Sequence, residues 1–449
     1  MKLADLEHAR VAVWGHGREG RAALAVLQKR FPEKQLTLIC AEDEKPLVAD
    51  DAHIRIVTGP VDAPSLSAFD VVIKSPGISP YKSPVPEAMA AGVRFTSGTA
   101  LWFAERPDAR VIGVTGTKGK STTSAMIAHI ARSLGIRTAL AGNIGLPLLE
   151  LLDGEAQLWV VELSSFQTGE AGPLDVGVLT NLYEEHLDWH GTRERYAIDK
   201  LKLADTARTL VVNAEQPELL ARTAAHPRRP TFGDSAGWYV RDAAICRGGE
   251  RVLPLSAIPL PGEHNAMNVC AAFAALDAMG FDAIAAAKHV ITFKSLPHRL
   301  QALGARDGVE YVNDSISTTP HATIEALRSL HGRVVTVLVG GFDRGVDWSP
   351  YVEYVAKHPP HGILAMGANG SRIVEALHAS QLDVVQVTTL AEAVQRAKTS
   401  TADGGVILLS PGAPSFDQFK NYAERGREFA RLAGFDPAGI AQIEGLGIA

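Results

Sequence analysis

The stretch "ARVIGVTGTKGKSTT", residues 109–123, constrains the fold more than any other. An apolar run ends in a loop containing Gly116 and Gly119, and helical spacing begins beyond it. Strand, glycine loop and helix in this order form a cradle for phosphate. The glycines let backbone N–H groups approach an anion, Lys120 brings a fixed positive charge, and Ser121 offers a hydroxyl to Mg²⁺. The usual pattern places its first glycine four residues before the Gly-Lys pair, whereas only two residues separate Gly116 from Gly119. A plain Gly/Thr-rich turn is the alternative.

Short apolar runs alternate with longer helical patterns through most of the 449 residues, which predicts parallel sheets with crossover helices. Three α/β blocks are expected: 1–107, opening with "RVAVWGHGREG"; 108–295, carrying the phosphate loop; and 296–449, with "VVTVLVGG" and "GVILLSPG". Residues 227–261 read as turns with short strands, and "LPGEHNAMNVCAAFAALDAMG" as a capped helix returning to the second block. With 44 basic and 50 acidic residues the chain has no charge excess to attract nucleic acid or a membrane surface. No run reaches the ~18 apolar residues of a membrane span, and the first residues lack the apolar core of a secretory signal. Three scattered cysteines in apolar surroundings read as buried thiols of a reducing compartment. A cytoplasmic protein acting as a monomer is expected.

"GHGREG" (residues 15–20) follows a strand and opens a helix, and Glu42 and Asp43 come where an acid would meet a ribose. Alone, this pattern permits a nicotinamide-dependent oxidoreductase, another phosphate site, or mere strand–helix packing. "KSPGIS" (residues 74–79), at a second strand end, is placed to complete a pocket there. In the second block Glu162 interrupts an apolar run at a strand end, where a buried carboxylate calls for a partner or a metal ion. His186 lies in an acidic, aromatic loop, with Asp188 and His190 beside it. Lys200 and Lys202, on a predicted helix, read by default as solvated surface residues.

Taken in order, "GTKGKST", "AGNIG", "VELSSFQ", "EEHLDWHG", "YAIDK", "GEHNAMN" and "LPHRL" resemble the Mur ligases of peptidoglycan synthesis. "NDSISTTP", "GGFDRG" and "LSPGAPSFDQFKNYAERG" resemble the glutamate-adding MurD branch. The resemblance implies a Rossmann-like N-terminal domain, a P-loop ATPase-like central domain and a Rossmann-like C-terminal domain. It also implies an ATP-dependent amide ligase that activates the carboxylate of UDP-N-acetylmuramoyl-L-alanine as an acyl phosphate and captures it with glutamate.

By the same resemblance, Gly15, Gly17, Ser75, Gly77 and Asn143 would meet the UDP substrate, removing the need for a nicotinamide. Gly116, Thr117, Lys118, Gly119, Lys120, Ser121 and Thr122 would hold ATP phosphates, with Asn265 and Asn268 on the adenine side and Arg299 and Asp314 contributed by the third domain. Asn265 and Asn268 also suit helix capping or packing. One Mg²⁺ would sit on Ser121 and Glu162, and a second on His186 and a carbamoylated Lys200, with Lys120, His186 and Lys200 as the catalytic set. Closure of the third domain would exclude water from the acyl phosphate.

Departures from the family pattern gather in the amino-acid pocket. Where MurD has Lys-Ala-Thr-Asn, the chain has Ile316, Ser317, Thr318 and Thr319. Tyr422 replaces a common Phe, while Thr318, Arg344 and Ser415 keep the contacts expected for a dicarboxylic amino acid. Lys118 stands for a usual Asn and adds a cation near ATP. This pattern favours L-glutamate over the D-glutamate of ordinary MurD.

Overall fold

The computed structural model describes residues 1–44, 51–378, 382 and 384–449. Among these residues the strands form three sheets. The first contains β1 (Val11–Trp14), β2 (Leu36–Cys40), β3 (Ile54–Thr58), β4 (Val71–Lys74) and β5 (Arg94–Thr96) in the spatial order β3-β2-β1-β4-β5, all parallel. This is a doubly wound order, and its two central loops, after β1 and β4, open on the same crevice. β1 and β4 are apolar on both faces because helices cover both, so neither shows the alternation of a half-exposed strand.

The second sheet is built on β6 (Val111–Thr115), β7 (Thr138–Gly142), β8 (Leu158–Glu162), β9 (Leu174–Leu179) and β10 (Ala207–Asn213), parallel in the order β10-β9-β6-β8-β7. β11 (Thr231–Phe232), β12 (Trp238–Arg241), β13 (Ala244–Arg247) and β14 (Glu250–Pro254) extend it beyond β10, the last three as an antiparallel ribbon. That ribbon is the stretch of turns and short strands expected from sequence. Cys40, Cys246 and Cys270 are buried and not disulfide-bonded.

The third sheet comprises β15 (Gln301–Arg306), β16 (Val309–Asn313), β17 (Val335–Gly340), β18 (Gly362–Met366), β19 (Val384–Gln386) and β20 (Val406–Leu409) in the order β15-β16-β20-β17-β18-β19. Only β15 runs antiparallel. A final strand, β21 (Gly447–Ile448), leaves this region and pairs antiparallel with β7. Arg132 fixes the return by donating to the carbonyls of Gly445 (2.6 Å) and Gly447 (2.9 Å).

The chain divides into two compact units. The first takes residues 1–257, 267–291 and 445–449, and the second takes 258–266 and 292–444. The first two sheets share a unit because their cores are continuous: Trp102, on the helix Gly98–Glu105, packs 4.7 Å from Trp159 of β8. The second unit has apolar cores on both faces of its sheet. Among the described residues no helix is long and apolar enough to cross a membrane.

Candidate active site

In the first unit the candidate residues collect at the C-terminal ends of β6, β7, β8 and β9. β6 lies between β8 and β9, so the chain leaves it in opposite directions on its two sides and opens the crevice where such sheets bind ligands. The loop after β6 leads into the helix Lys120–Ser133. Gly116 and Gly119 have φ of +149° and +83°, and a side chain on either would run into Thr180 or Asn268. Lys120 curls back over the loop, its Nζ donating to the carbonyls of Gly116 (3.0 Å) and Thr117 (2.9 Å). Ser121 and Thr122 follow on the first turn of the helix.

Bracing of this loop comes from residues the sequence did not single out. Asn181 Oδ1 accepts the Thr117 (3.1 Å) and Lys118 (2.8 Å) amides, and its Nδ2 donates to the Lys118 carbonyl at 3.1 Å. The Thr117 hydroxyl lies 2.7 Å from Tyr196 OH and donates to the Tyr183 carbonyl at 3.0 Å. Lys118, expected as a cation for ATP, is engaged in an ion pair with Glu185.

Glu162 ends β8 with only 1% of its surface exposed. Its Oε1 accepts from Asn143 Nδ2 at 2.6 Å, while Oε2 is buried without a hydrogen-bond partner. A buried acceptor left in this state is costly unless a cation completes it, so the observation fits a metal ligand. Asn143 itself is exposed after β7.

His186 adopts φ +56°, an uncommon conformation for a non-glycine residue. Its ring lies 5.2 Å from Phe166, and burial is the main cause that lowers its pKa below the usual histidine value. Lys200, read by default as a surface residue, is instead 2% exposed on the helix Arg193–Thr206. Its Nζ donates to the Gly116 carbonyl at 2.8 Å, so Lys120 and Lys200 converge on one oxygen. Burial first, and the Lys120 charge second, push its pKa well below the ordinary lysine value and favour the neutral amine. Lys202 is 41% exposed and pairs with Asp199 at 2.7 Å.

Beside this helix lies a chain of hydrogen bonds with the composition of a hydrolytic triad. Ser165 Oγ is 2.9 Å from His190 Nε2, and His190 Nδ1 is 2.8 Å from Asp199 Oδ2. Ser165 and His190 are buried, and the rings of Phe166, Trp189 and Tyr196 surround the imidazole. The array therefore braces three segments, those carrying Glu162, His186 and Lys200, and is closed to substrate. No group of three or more His, Cys, Asp or Glu residues arranged for a metal ion occurs among the described residues. A divalent ion here would have to draw on hydroxyl, substrate or modified-lysine oxygens as well, which suits Mg²⁺.

The loops after β1 and β4 also come together. Gly15 has φ +98°, and a side chain there would press on the Ser75 side chain, whose Oγ is buried without a partner. Gly17 precedes the helix Arg18–Arg30, and neither it nor Gly77 has an atom crowding its open side. A cavity of 260 Å³, lined in part by Trp14, Gly77, Lys82, Asp188 and Trp189, lies where this loop faces the turn after His186. The two are bolted together: Ser79 Oγ donates to the Trp189 carbonyl (2.7 Å), Trp189 Nε1 to the Pro76 carbonyl (3.0 Å), and Tyr81 OH to Asp199 Oδ1 (2.6 Å). A larger hollow of 430 Å³ lies at the opposite ends of β6, β9 and β10 and contains none of the candidate residues. Asn268, on the helix Glu263–Ala278, accepts from Thr123 at 3.3 Å and faces Gly119.

The second unit holds the remaining candidates. Asn265 Nδ2 donates to the Pro261 carbonyl at 2.7 Å, and Arg299 is exposed after the buried His298. Asp314 is buried, accepting from the Leu300 amide (3.1 Å) and Ser410 Oγ (2.8 Å); burial is the main cause that pushes its pKa up to about 6. Arg344 is exposed, its guanidinium 5.9 Å from the Phe416 ring. Ser415 is buried next to Phe416, and Thr318 is half-buried before the helix Pro320–Ser329. Tyr422 is 40% exposed, its ring 5.9 Å from His298. Asp314, Thr318, Arg344, Ser415 and Tyr422 follow β16, β17 and β20, three adjacent strands, whereas Asn265 lies on the helix Glu263–Ala278 and Arg299 precedes β15.

Residues 114–276 match the Mur ligase middle domain, and residues 298–412 match the Mur ligase, glutamate ligase domain. The UDP-N-acetylmuramoyl-L-alanine–L-glutamate ligase of Xylella fastidiosa is 48% identical over 470 residues, covering 100% of both chains. The enzyme of the same name from Xanthomonas euvesicatoria is 46% identical over 468 residues, again covering 100% of both. Among solved structures, the UDP-N-acetylmuramate–alanine ligase of Thermotoga maritima superposes with a TM-score of 0.63 at 19% identity, covering 95% of this chain and 99% of its own, a likeness of fold. On this full-length similarity and the two matched domains, the chain belongs to the Mur ligase family of ATP-dependent amide-forming ligases.

Proposed function

We propose that the chain joins glutamate, with L-glutamate preferred, to the L-alanyl carboxylate of UDP-N-acetylmuramoyl-L-alanine at the expense of ATP. The observation that carries this reading is the meeting of the phosphate loop, Glu162, His186 and Lys200 at one end of a single sheet. Mur ligases use ATP with Mg²⁺. The preference for L-glutamate is supported by the names of the full-length relatives and by the altered stretch Ile316–Thr319.

In this reading the division into domains 1–107, 108–295 and 296–449 assigns one sheet to each ligand: UDP substrate, ATP and amino acid. Gly15, Gly17, Ser75 and Gly77 hold the uridine diphosphate, and Asn143 faces the muramoyl or acyl part. Gly116 to Thr122 hold the phosphates of ATP, and the family resemblance adds Asn265, Asn268, Arg299 and Asp314 as nucleotide-binding residues. Ser121 and Glu162 would hold one Mg²⁺, and His186 with a carbamoylated Lys200 would hold a second. Bound Mg²⁺ neutralises phosphate charge and polarises the reacting oxygens. Lys200 is suited to carbamoylation, being buried beside the phosphate loop with its pKa lowered: addition of the deprotonated amine to CO₂ would form a C–N bond and release a proton.

A carboxylate oxygen of L-alanine displaces ADP from the γ-phosphorus, giving the acyl phosphate. The glutamate amine then attacks the acyl carbon and loses a proton, and phosphate leaves with the former carboxylate oxygen. Both reactants of the first step are anions, so Lys120 and the loop amides contribute chiefly by holding and neutralising charge. Arg344, Thr318, Ser415 and Tyr422 orient the amino acid by its two carboxylates. All these groups belong to one copy of the chain, so a monomer suffices.

The test is ADP release with UDP-N-acetylmuramoyl-L-alanine and L-glutamate, D-glutamate or no amino acid. Release that depends on L-glutamate, with product mass increased by one glutamyl residue, is expected. A kcat/KM for D-glutamate equal to or above that for L-glutamate would return the chain to ordinary MurD activity.

A further inference from the structure

The helix Tyr422–Ala433 carries a cation that the reaction scheme does not use. Arg425 is 1% exposed, and its guanidinium makes four hydrogen bonds. Nε donates to Ser315 Oγ (3.1 Å), Nη1 to the Pro414 carbonyl (3.1 Å), and Nη2 to the carbonyls of Ser315 (2.8 Å) and Ala413 (2.9 Å). None of these acceptors is a carboxylate. Ser315 Oγ in turn donates to the Tyr422 carbonyl at 2.8 Å. A side chain on Gly341 would come within 3.1 Å of Nη1, and the Phe342 amide donates to the Pro414 carbonyl at 2.9 Å.

One guanidinium therefore ties its own helix directly to the Ser315 and Ala413–Pro414 segments, and the Pro414 carbonyl it holds is shared with the Phe342 amide, so four segments that carry the amino-acid residues are linked. Ser315 is three positions before Thr318, Pro414 immediately precedes Ser415, Phe342 is two before Arg344, and Tyr422 begins the helix. The direction of the bonds matters as much as their number. In a trans peptide the carbonyl and the following N–H point opposite ways, so drawing the Pro414 carbonyl toward Arg425 turns the Ser415 N–H away from it. The planar fork fixes these carbonyls at set angles, which an ammonium group would not do.

We propose that Arg425 is a positioning residue of the amino-acid site, orienting the Ser415 amide and the Thr318 and Tyr422 segments for a dicarboxylic amino acid. The proposal rests on the functional reading above. Its buried charge adds a positive potential beneath the loops, favouring an anionic ligand.

The experiment uses the full chain with Arg425→Lys, Arg425→Gln and Ser315→Ala, each checked for folding by thermal melting. Steady-state ADP release is measured while glutamate, ATP and the UDP substrate are titrated in turn. Arg425→Lys should raise the glutamate KM tenfold or more with kcat reduced less than threefold, and leave the ATP and UDP-substrate KM within twofold. Ser315→Ala should raise the glutamate KM about threefold, and it decides the matter if the Arg425 variants fail to fold. A merely structural arginine would lower the melting temperature and the active fraction, hence apparent kcat, with the glutamate KM unchanged. That result, or a KM rising equally for all three substrates, would overturn the proposal. If the unaltered chain shows no glutamate-dependent release, the functional reading itself fails, an outcome read in a separate arm.

Discussion

Replacing Asp314 by Asn should make the second unit more stable and the enzyme nearly inactive. The carboxyl is buried, and its pKa rises from 3.8 to about 6, mainly through burial. That displacement corresponds to about 3 kcal/mol between the ionised and protonated forms. The folded state holds the proton more tightly than the unfolded chain, so the contribution is fully present below about pH 4 and lost as pH rises through about 6. Asn abolishes this loss. It keeps an acceptor for the Leu300 amide but weakens the bond from Ser410, at a cost of about 1 kcal/mol. A net gain of about 2 kcal/mol is expected at pH 8, shrinking toward pH 4.5. Hydrogen exchange of the β17 and β20 amides, corrected for intrinsic rates, reports opening of this unit at both pH values. ADP release in the same samples should fall by about 10² or more if an ionised Asp314 serves the nucleotide. A variant no more stable at pH 8, or one whose difference from the parent is the same at both pH values, would refute the reasoning.

Lys120→Ala should reduce ligation by about 10²–10³, since the migrating phosphoryl group loses its nearest fixed cation, and turnover at the parent rate would remove the loop from the ATP site. Lys200→Ala should leave a folded, nearly inactive chain, and a crystal structure with nucleotide and Mg²⁺ should show density beyond Lys200 Nζ; a bare amine there would refute carbamoylation. Gly20→Ala should destabilise the first unit by several kcal/mol, because its methyl group would run into the Gly15 carbonyl, and an unchanged urea midpoint would contradict that packing.

The phosphate loop was legible because its chemistry is local: strand, glycines, lysine and helix follow one another between Val111 and Ser133. Glu162 was legible for a related reason, a charge at the end of an apolar strand. Lys200 and Arg425 carry no such mark. Each sits on a helix where a long cation is normally solvated, and each is buried by segments remote in sequence, such as Gly116 or Ser315. The array of Ser165, His190 and Asp199 is invisible for the same reason, since its members are joined only once three elements have packed. The pairing of β21 with β7 has no sequence signal beyond two ordinary residues. Lys118 shows the converse: its charge was evident, but the neighbour that engages it, Glu185, was not.

The bonds from residues 76–81 to Trp189 and Asp199 make two regions of the first unit into one thermodynamic system. Whatever free energy a ligand on the Ser75–Gly77 loop contributes to ordering the turn after His186, a ligand at that turn must return in equal measure to the loop. Affinity gained at one end therefore appears at the other, whichever ligand arrives first. Under the proposed function, with the acceptor on that loop and the phosphoryl group at that turn, the transfer groups would be held in register most firmly when the acceptor is in place, which would disfavour idle hydrolysis of the nucleotide.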